Sequence, residues 1–321
     1  MSGGGSAGTP TQELERVPGL PGLYRKALTL AVRRRIGRAG TPSQLPDARH
    51  AVRGVTADPT ELTRFQQLLH STARDLLPSA YLHTLAFPVA MSVLARSDFP
   101  LPLLGMVHLS NEVHQARQVR SSERLDVVAW AEDLRPHAAG TQVDLVTEIS
   151  AAGERVWTGR SVYLARGVRL GAGAEAEQRQ SSDRPAFSPP TPTGIWRLDA
   201  GIGRRYAAVS GDWNPIHLSA PTAKALGMKG AIAHGMYLAA RMVDQAVPAP
   251  SGALDWRIDF LSPVLLPGRV TTSFTRTRDD GDGSSGAGRT DVVGWSAKRR
   301  RPHFTGWVRS GQDAGGSAQN G

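Results

Sequence analysis

The sequence predicts an α+β protein built twice on one plan, each half giving helices first and an antiparallel sheet afterwards. Three observations carry this expectation. Helical patterns precede strand-like segments in both halves of the chain. A stretch rich in Gly, Ala, Glu, Gln, Ser and Pro, from Arg166 to Thr193 and closing on Pro189-Pro190-Thr191-Pro192, has the composition of a connector between them. Finally, 321 residues of which 40% are hydrophobic suffice for a core in each half.

The elements follow in order. Met1 to Thr11 is rich in Gly, Ser and Thr and is expected to be disordered, as is the tail 311–321. Apolar residues mixed with Arg and Lys between Leu23 and Arg38 predict a short basic helix that docks on the protein, touches a membrane surface or stays mobile. Residues 1–44 are thus read as a disordered and basic N-terminal segment, and Thr41 to Asp47 as a linker. In the first unit, 45–165, Leu62 to Leu77 and Phe87 to Ala95 carry helical patterns. Strands are expected over Gly105 to Val113, Leu125 to Leu134, Gln142 to Ser150 and Arg155 to Leu164. After the connector 166–193, the second unit spans 194–310. Asp199 is a plausible cap for a helix reaching Val209, Ala220 to Leu226 reads as a short helix, and His234 to Gln245 as a longer apolar one. Strands over Leu254 to Leu261, Arg269 to Arg276, Thr290 to Ala297 and His303 to Arg309 complete it, with Asp279 to Gly288 as a hairpin tip.

The densest chemistry lies between the first two helices of the second unit. Gly211-Asp212-Trp213-Asn214-Pro215-Ile216-His217-Leu218 places an Asp and a His five residues apart across an Asn-Pro turn, so two proton-carrying groups share one tight loop. Tyr206 precedes this run, and Ala233-His234-Gly235-Met236 follows it at the head of the longer helix. Asp, Asn, Gly and Pro are also what any loop uses, so the run alone is compatible with a plain turn. Together with its flanking residues it resembles the signature of the MaoC-like hydratases and dehydratases, an aromatic residue coupled to Gly-Asp-x-Asn-Pro-x-His.

That resemblance implies a hotdog fold, in which a curved antiparallel sheet wraps a central helix. Two such units in one chain give a double hotdog, with two antiparallel sheets each wrapped around a central helix. The segment from Phe99-Pro100-Leu101-Pro102 through Leu103-Leu104-Gly105-Met106-Val107-His108, followed by Asn111, resembles the first hotdog of two-domain actinobacterial acyl-dehydratases. No Gly-Asp-x-Asn-Pro-x-His occurs in the first half, so that copy is expected to be catalytically empty and to accommodate the acyl chain. The implied reaction is the reversible dehydration of (3R)-3-hydroxyacyl thioesters to trans-2-enoyl thioesters, in fatty-acid or polyketide-related metabolism. By the family pattern, Asp212 and His217 are the catalytic acid/base pair and Asn214 orients the loop or the water. The Gly235 N–H, at a helix start, polarises the thioester carbonyl, with glycine there allowing close approach. His234 is read as a helix-entry residue, and His83, His108, Asn111 and His303 as structural.

The sequence departs from the family after Phe260-x-x-Pro263-Val264, where one extra leucine gives Leu265-Leu266-Pro267-Gly268-Arg269. Trp213 fills a variable position, where its bulk would narrow the site or shield it from solvent.

Bulk properties narrow the alternatives. No cysteine is present, which excludes disulfides, thiolate nucleophiles and cysteine-rich metal sites. Histidine and carboxylate spacing does not match a metal motif, and the implied chemistry needs neither metal nor cofactor. The net charge of +10 suits an anionic partner, with Arg33-Arg34-Arg35 and Lys298-Arg299-Arg300-Arg301 as its densest clusters. Neither cluster comes with the aromatic platform that single-stranded nucleic acid requires, whereas a coenzyme A or acyl-carrier thioester is acidic too. The apolar stretches fall short of a membrane span and the N-terminus lacks a signal-peptide apolar region, so a cytoplasmic protein, monomeric or homodimeric, is expected. Two other readings stay open: a non-catalytic acyl-thioester-binding protein, and a hotdog thioesterase.

Overall fold

The computed structural model describes residues 10–37, 40, 42–170, 187–247, 252–278 and 288–311. The disorder expected at 1–9 and 312–321, the connector over 171–186 and the hairpin tip 279–287 lie outside the described residues.

In the first half, α1 (Leu20–Arg35) is followed by β2 (Arg49–Val55), α2 (Pro59–Leu69), α3 (Ser79–Leu94), β3 (Met106–Gln115), β4 (Leu125–His137), β5 (Gly140–Ala151) and β6 (Glu154–Arg166). A short strand β1 (Thr11–Glu13) comes before α1. The second half runs β7 (Gly194–Leu198), α4 (Ile202–Ser210), a single 3-10 turn (Pro215–His217), α5 (Ala220–Ala225), α6 (Gly235–Ala246), β8 (Leu254–Phe260), β9 (Gly268–Arg278), β10 (Gly288–Ser296) and β11 (Arg301–Ser310).

The helices differ from the sequence reading for local reasons. The helix expected over Leu62 to Leu77 stops at Leu69 because His70 takes the left-handed conformation, φ 62°. The helix expected from Phe87 begins instead at Ser79 and carries Pro88 within it, a residue that cannot donate to the carbonyl one turn back. α3 is buried on nearly every side, so its apolar residues show no single stripe and periodicity marks only part of it.

The basic helix expected near the N-terminus is present, whereas the strand before it was not expected. Thr11, Gln12 and Glu13 pair in parallel with Arg49, His50 and Ala51, and α1 is docked, with Leu20 and Ala27 buried. A polar three-residue strand has no pattern of its own, and its order comes from the β2 edge it joins.

Two sheets were expected, and they meet edge to edge. The strand order is β1-β2-β4-β5-β6-β3-β8-β11-β10-β9-β7, so the first-half strands and the second-half strands form one eleven-stranded sheet. The seam is the antiparallel pair β3–β8, with Ser110 opposite Asp259 and Gln115 opposite Leu254. All pairings except β1–β2 are antiparallel. The two long helices α3 and α6 pack against each other inside this curved sheet. Ser79, at the start of α3, ties the halves together: its hydroxyl accepts from Trp157 Nε1 of β6 at 3.2 Å and from Trp256 Nε1 of β8 at 2.9 Å. Trp157 and Trp256 are among the largest fully buried side chains.

Candidate active site

α4 delivers the chain to the site. Gly211 ends it in the left-handed region, φ 72°, which turns the backbone sharply into Asp212. Asn214 and Pro215 then start the 3-10 turn, the Asn214 side-chain oxygen accepting from Ile216 N at 3.4 Å, and His217 closes it. Gly203 on α4 lies so close beneath this turn that a Cβ there would sit 2.0 Å from the His217 carbonyl oxygen.

His217 is buried, and its Nδ1 lies 2.9 Å from the Ile232 carbonyl oxygen. A carbonyl only accepts, so Nδ1 carries the proton and Nε2 of the neutral ring keeps its lone pair. Burial lowers the His217 pKa below the ordinary imidazole value, opposed by the Asp212 charge and the bond to Ile232. Neutral His217 is therefore the resting form, with Nε2 available as a base.

His234, the N-cap of α6, stacks on His217 with ring centroids 3.7 Å apart and an interplanar angle of 24°. Its Nε2 donates to the Asp212 carbonyl oxygen at 3.0 Å and lies 3.8 Å from Asp212 Oδ2. Burial and the neighbouring His217 lower its pKa to about 3, so it too is neutral. Tyr206, buried on α4, packs its ring 4.9 Å from that of His234. The aromatic position of the motif thus supports the histidine pair from below.

Asp212 is partly exposed, and its Oδ1 accepts from the Asn214 backbone N–H at 3.3 Å and from the Tyr24 hydroxyl at 2.9 Å. Asp212, His217 and His234 each bring one candidate ligand atom within 4.8 Å of the others. Sequence spacing had given no sign of this convergence, because His234 arrives from a separate element. His234 Nε2 is occupied as a donor to the Asp212 carbonyl, while its buried Nδ1 has no hydrogen-bond partner among the described residues.

The structure brings Asp212 and His217 together as the sequence placed them, and it adds His234 and Tyr24. Asn214, expected to orient the loop or the water and counted with the substrate-binding residues, commits its side-chain oxygen to the loop. Gly235 opens α6, and its N–H belongs to the first-turn donors that a helix leaves unpaired. The reason for a glycine there is packing: an added Cβ would lie 2.9 Å from ring atoms of Phe260, so the space is filled by β8. Trp213, next to Asp212 in the loop, is 45% exposed.

The extra leucine of the Val264–Gly268 turn reaches the site indirectly. Leu266 N donates to the Ala231 carbonyl and Ala233 N to the Val264 carbonyl, which fixes the segment carrying Ile232. Leu266 is itself buried, packed near Gly203. His108 stacks on Tyr163 at 4.5 Å and lies 5.1 Å from Phe260, so first-half residues back the Gly235 side of the site. Asn111 accepts from Ser161 Oγ at 2.6 Å.

The basic clusters lie apart from one another. Lys298, Arg299 and Arg300 form the exposed turn between β10 and β11. Arg25, Lys26 and Arg33 line a surface groove of about 420 Å³ along α1. Among the described residues, no helix is long and apolar enough to cross a membrane.

Comparison with known proteins finds relatives of this chain by sequence and by fold. Residues 198–296 match the MaoC like domain. The chain is 30% identical over 271 residues to 3-hydroxyacyl-thioester dehydratase X of Mycobacterium tuberculosis, covering 83% of this chain and 90% of that protein. The crystal structure of HtdX from M. tuberculosis superposes with a TM-score of 0.68 at 28% identity, over 82% of this chain and 99% of that one. A conserved hypothetical protein of M. tuberculosis with a double hotdog fold matches with a TM-score of 0.50 at 14% identity, over 80% and 92% of the two chains, a likeness of fold.

Proposed function

Since the chain belongs to the MaoC-like dehydratase family, a family of hydro-lyases, we propose that it interconverts (3R)-3-hydroxyacyl and trans-2-enoyl thioesters at Asp212 and His217. The single observation that carries this reading is the pairing of the Asp212 carboxylate with a His217 ring held as its Nδ1–H tautomer, the two offering acceptor atoms within 4.8 Å. That gap suits one oxygen atom bridging both groups.

In the dehydration direction the pair removes the proton on the carbon α to the thioester carbonyl and passes that same proton to the departing β-hydroxyl, which leaves as water. In hydration the same two groups hold the incoming water, which adds to the β carbon as a hydroxyl keeping one proton while its other proton passes through the pair to the α carbon. Enolate-like charge develops on the thioester oxygen as the α proton moves, and the first-turn N–H of Gly235 is the donor we assign to it. His234 contributes by its bond to the Asp212 carbonyl and by its stack on His217, which fix both partners.

The acyl group rides on coenzyme A or an acyl-carrier protein. Cations around the α1 groove suit the phosphate that either carrier presents. A non-catalytic binding protein would have no use for an intact acid/base pair, and a thioesterase would release a free thiol.

The test is to mix the protein with crotonyl and longer trans-2-enoyl coenzyme A thioesters and follow loss of the conjugated enoyl absorbance. Asp212→Asn and His217→Ala are each expected to lower turnover by about 100-fold or more with folding retained. Near-normal turnover in both variants would sink the assignment, and thiol release without hydration would favour the thioesterase.

A further inference from the structure

The helix α1 precedes the matched domain by more than 160 residues in sequence, yet its first turns lie on the catalytic loop. Leu20 is buried, and a Cβ on Gly211 would stand 3.3 Å from its Cδ1, so this side chain rests against the residue preceding Asp212. One turn further on, Tyr24 sends its hydroxyl to Asp212 Oδ1 at 2.9 Å. Leu20, Tyr24 and Ala27 follow the spacing of one helix face, the face turned to the protein. At the other end Arg34 Nη2 donates to the carbonyls of Ser97 at 3.0 Å and Phe99 at 2.8 Å, in the loop after α3. α1 is therefore pinned on both halves of the molecule, and its polar contact with the second half is made to the catalytic carboxylate.

A carboxylate with two free oxygens rotates. Here Oδ1 has two donors, Tyr24 Oη and Asn214 N, whereas the contact recorded for Oδ2 is His234 Nε2 at 3.8 Å, beyond hydrogen-bond distance. We propose that Tyr24 is a positioning residue of the reaction: its hydroxyl clamps Oδ1 of Asp212 so that Oδ2 is presented to the histidine pair and to the oxygen that is added or expelled. The proposal rests on the reading of Asp212 as half of the acid/base pair. The bond has a fixed direction, since a carboxylate only accepts, and both burial and the Asp212 charge raise the Tyr24 pKa, so its hydroxyl stays protonated. A surface helix needs only its apolar contacts to stay docked; the hydroxyl is the part that packing does not require.

Tyr24→Phe separates these roles, because it keeps the ring and deletes the bond. Hydration of a trans-2-enoyl thioester is expected to show kcat lower by about tenfold with KM within about twofold of the parent, at an unchanged thermal midpoint. In an Asp212→Asn background the same change should have no further effect, the signature of two residues acting as one unit. A Tyr24→Phe enzyme with parental kcat would overturn the proposal. So would an equal fold-loss in both backgrounds, or a rise in kcat/KM, which would mark α1 as a shutter over the site. Parent protein that turns over no enoyl thioester would overturn the acid/base reading and Tyr24's role with it, an outcome distinguishable from a silent Tyr24→Phe in an active parent.

Discussion

His217 acts in its neutral form, and burial is the main reason it stays neutral. A folded pKa below the unfolded one means that the native state binds fewer protons, so the sign follows directly. Stability from this ring is fully present above the ordinary imidazole value near 6.5 and is lost as pH falls from there toward the lower folded value. Turnover should follow the folded value, so the acidic limb of kcat is expected below pH 6.5, and a limb at or above 6.5 in a pH–rate profile would contradict a buried neutral base. Gly235 offers a second check at this scale. Gly235→Ala drives a methyl into the Phe260 ring and is expected to cost about 1–3 kcal/mol, measured as a lowered denaturation midpoint together with weaker turnover. Asp212 and His217 were legible because six residues of one loop hold both. His234 was legible as the helix-entry residue it is, but its contact with Asp212 and that of Tyr24 were not, since they span separations of 22 and 188 residues and one chain's order of letters carries no signal for such contacts.

At the scale of elements, the site depends on how closely α4 lies under the 3-10 turn. Gly203→Ala places a Cβ 2.0 Å from a backbone oxygen, which no side-chain rotation relieves. We expect a stability loss of about 1–3 kcal/mol by urea titration, with a fall in kcat as His217 is displaced. The core strands of both halves were readable from Val, Trp, Phe and Thr enrichment. β2 and β7 were not: β2 breaks register against β4 between Val52 and Val55, and β7 is five residues long at the sheet edge. α3 was read only in its second half, where the apolar run is densest; Ser79, His83 and Thr84 look like surface residues but are buried. The extra leucine after Val264 looked like a local irregularity, but the Leu266 N–H bonded to the Ala231 carbonyl, beside the Val264 carbonyl that accepts from Ala233 N, makes this turn a brace for the segment that fixes the His217 tautomer.

The whole molecule is held as one body by contacts that cross its halves. Ser79 is the sharpest instance, because one hydroxyl satisfies two buried indole N–H groups from opposite sides of the seam. Ser79→Ala leaves both without a partner and is expected to lower stability by about 2–4 kcal/mol; an unchanged melting temperature would show that the tryptophans do not depend on it. Duplication was legible from the repeated order of elements, but not the joining of the two sheets, since edge pairing between β3 and β8 is set by strand geometry and not by either strand's composition. The seam also bears on synthesis. β3 is complete at Gln115, while its partner strand begins only at Leu254. At the ribosome's pace of roughly 5–20 residues per second, the first half therefore waits on the order of ten seconds with an open strand edge. During that interval another nascent copy can add to it, and crowded translation, more than heat or acid, is the hazard to which this architecture exposes the chain.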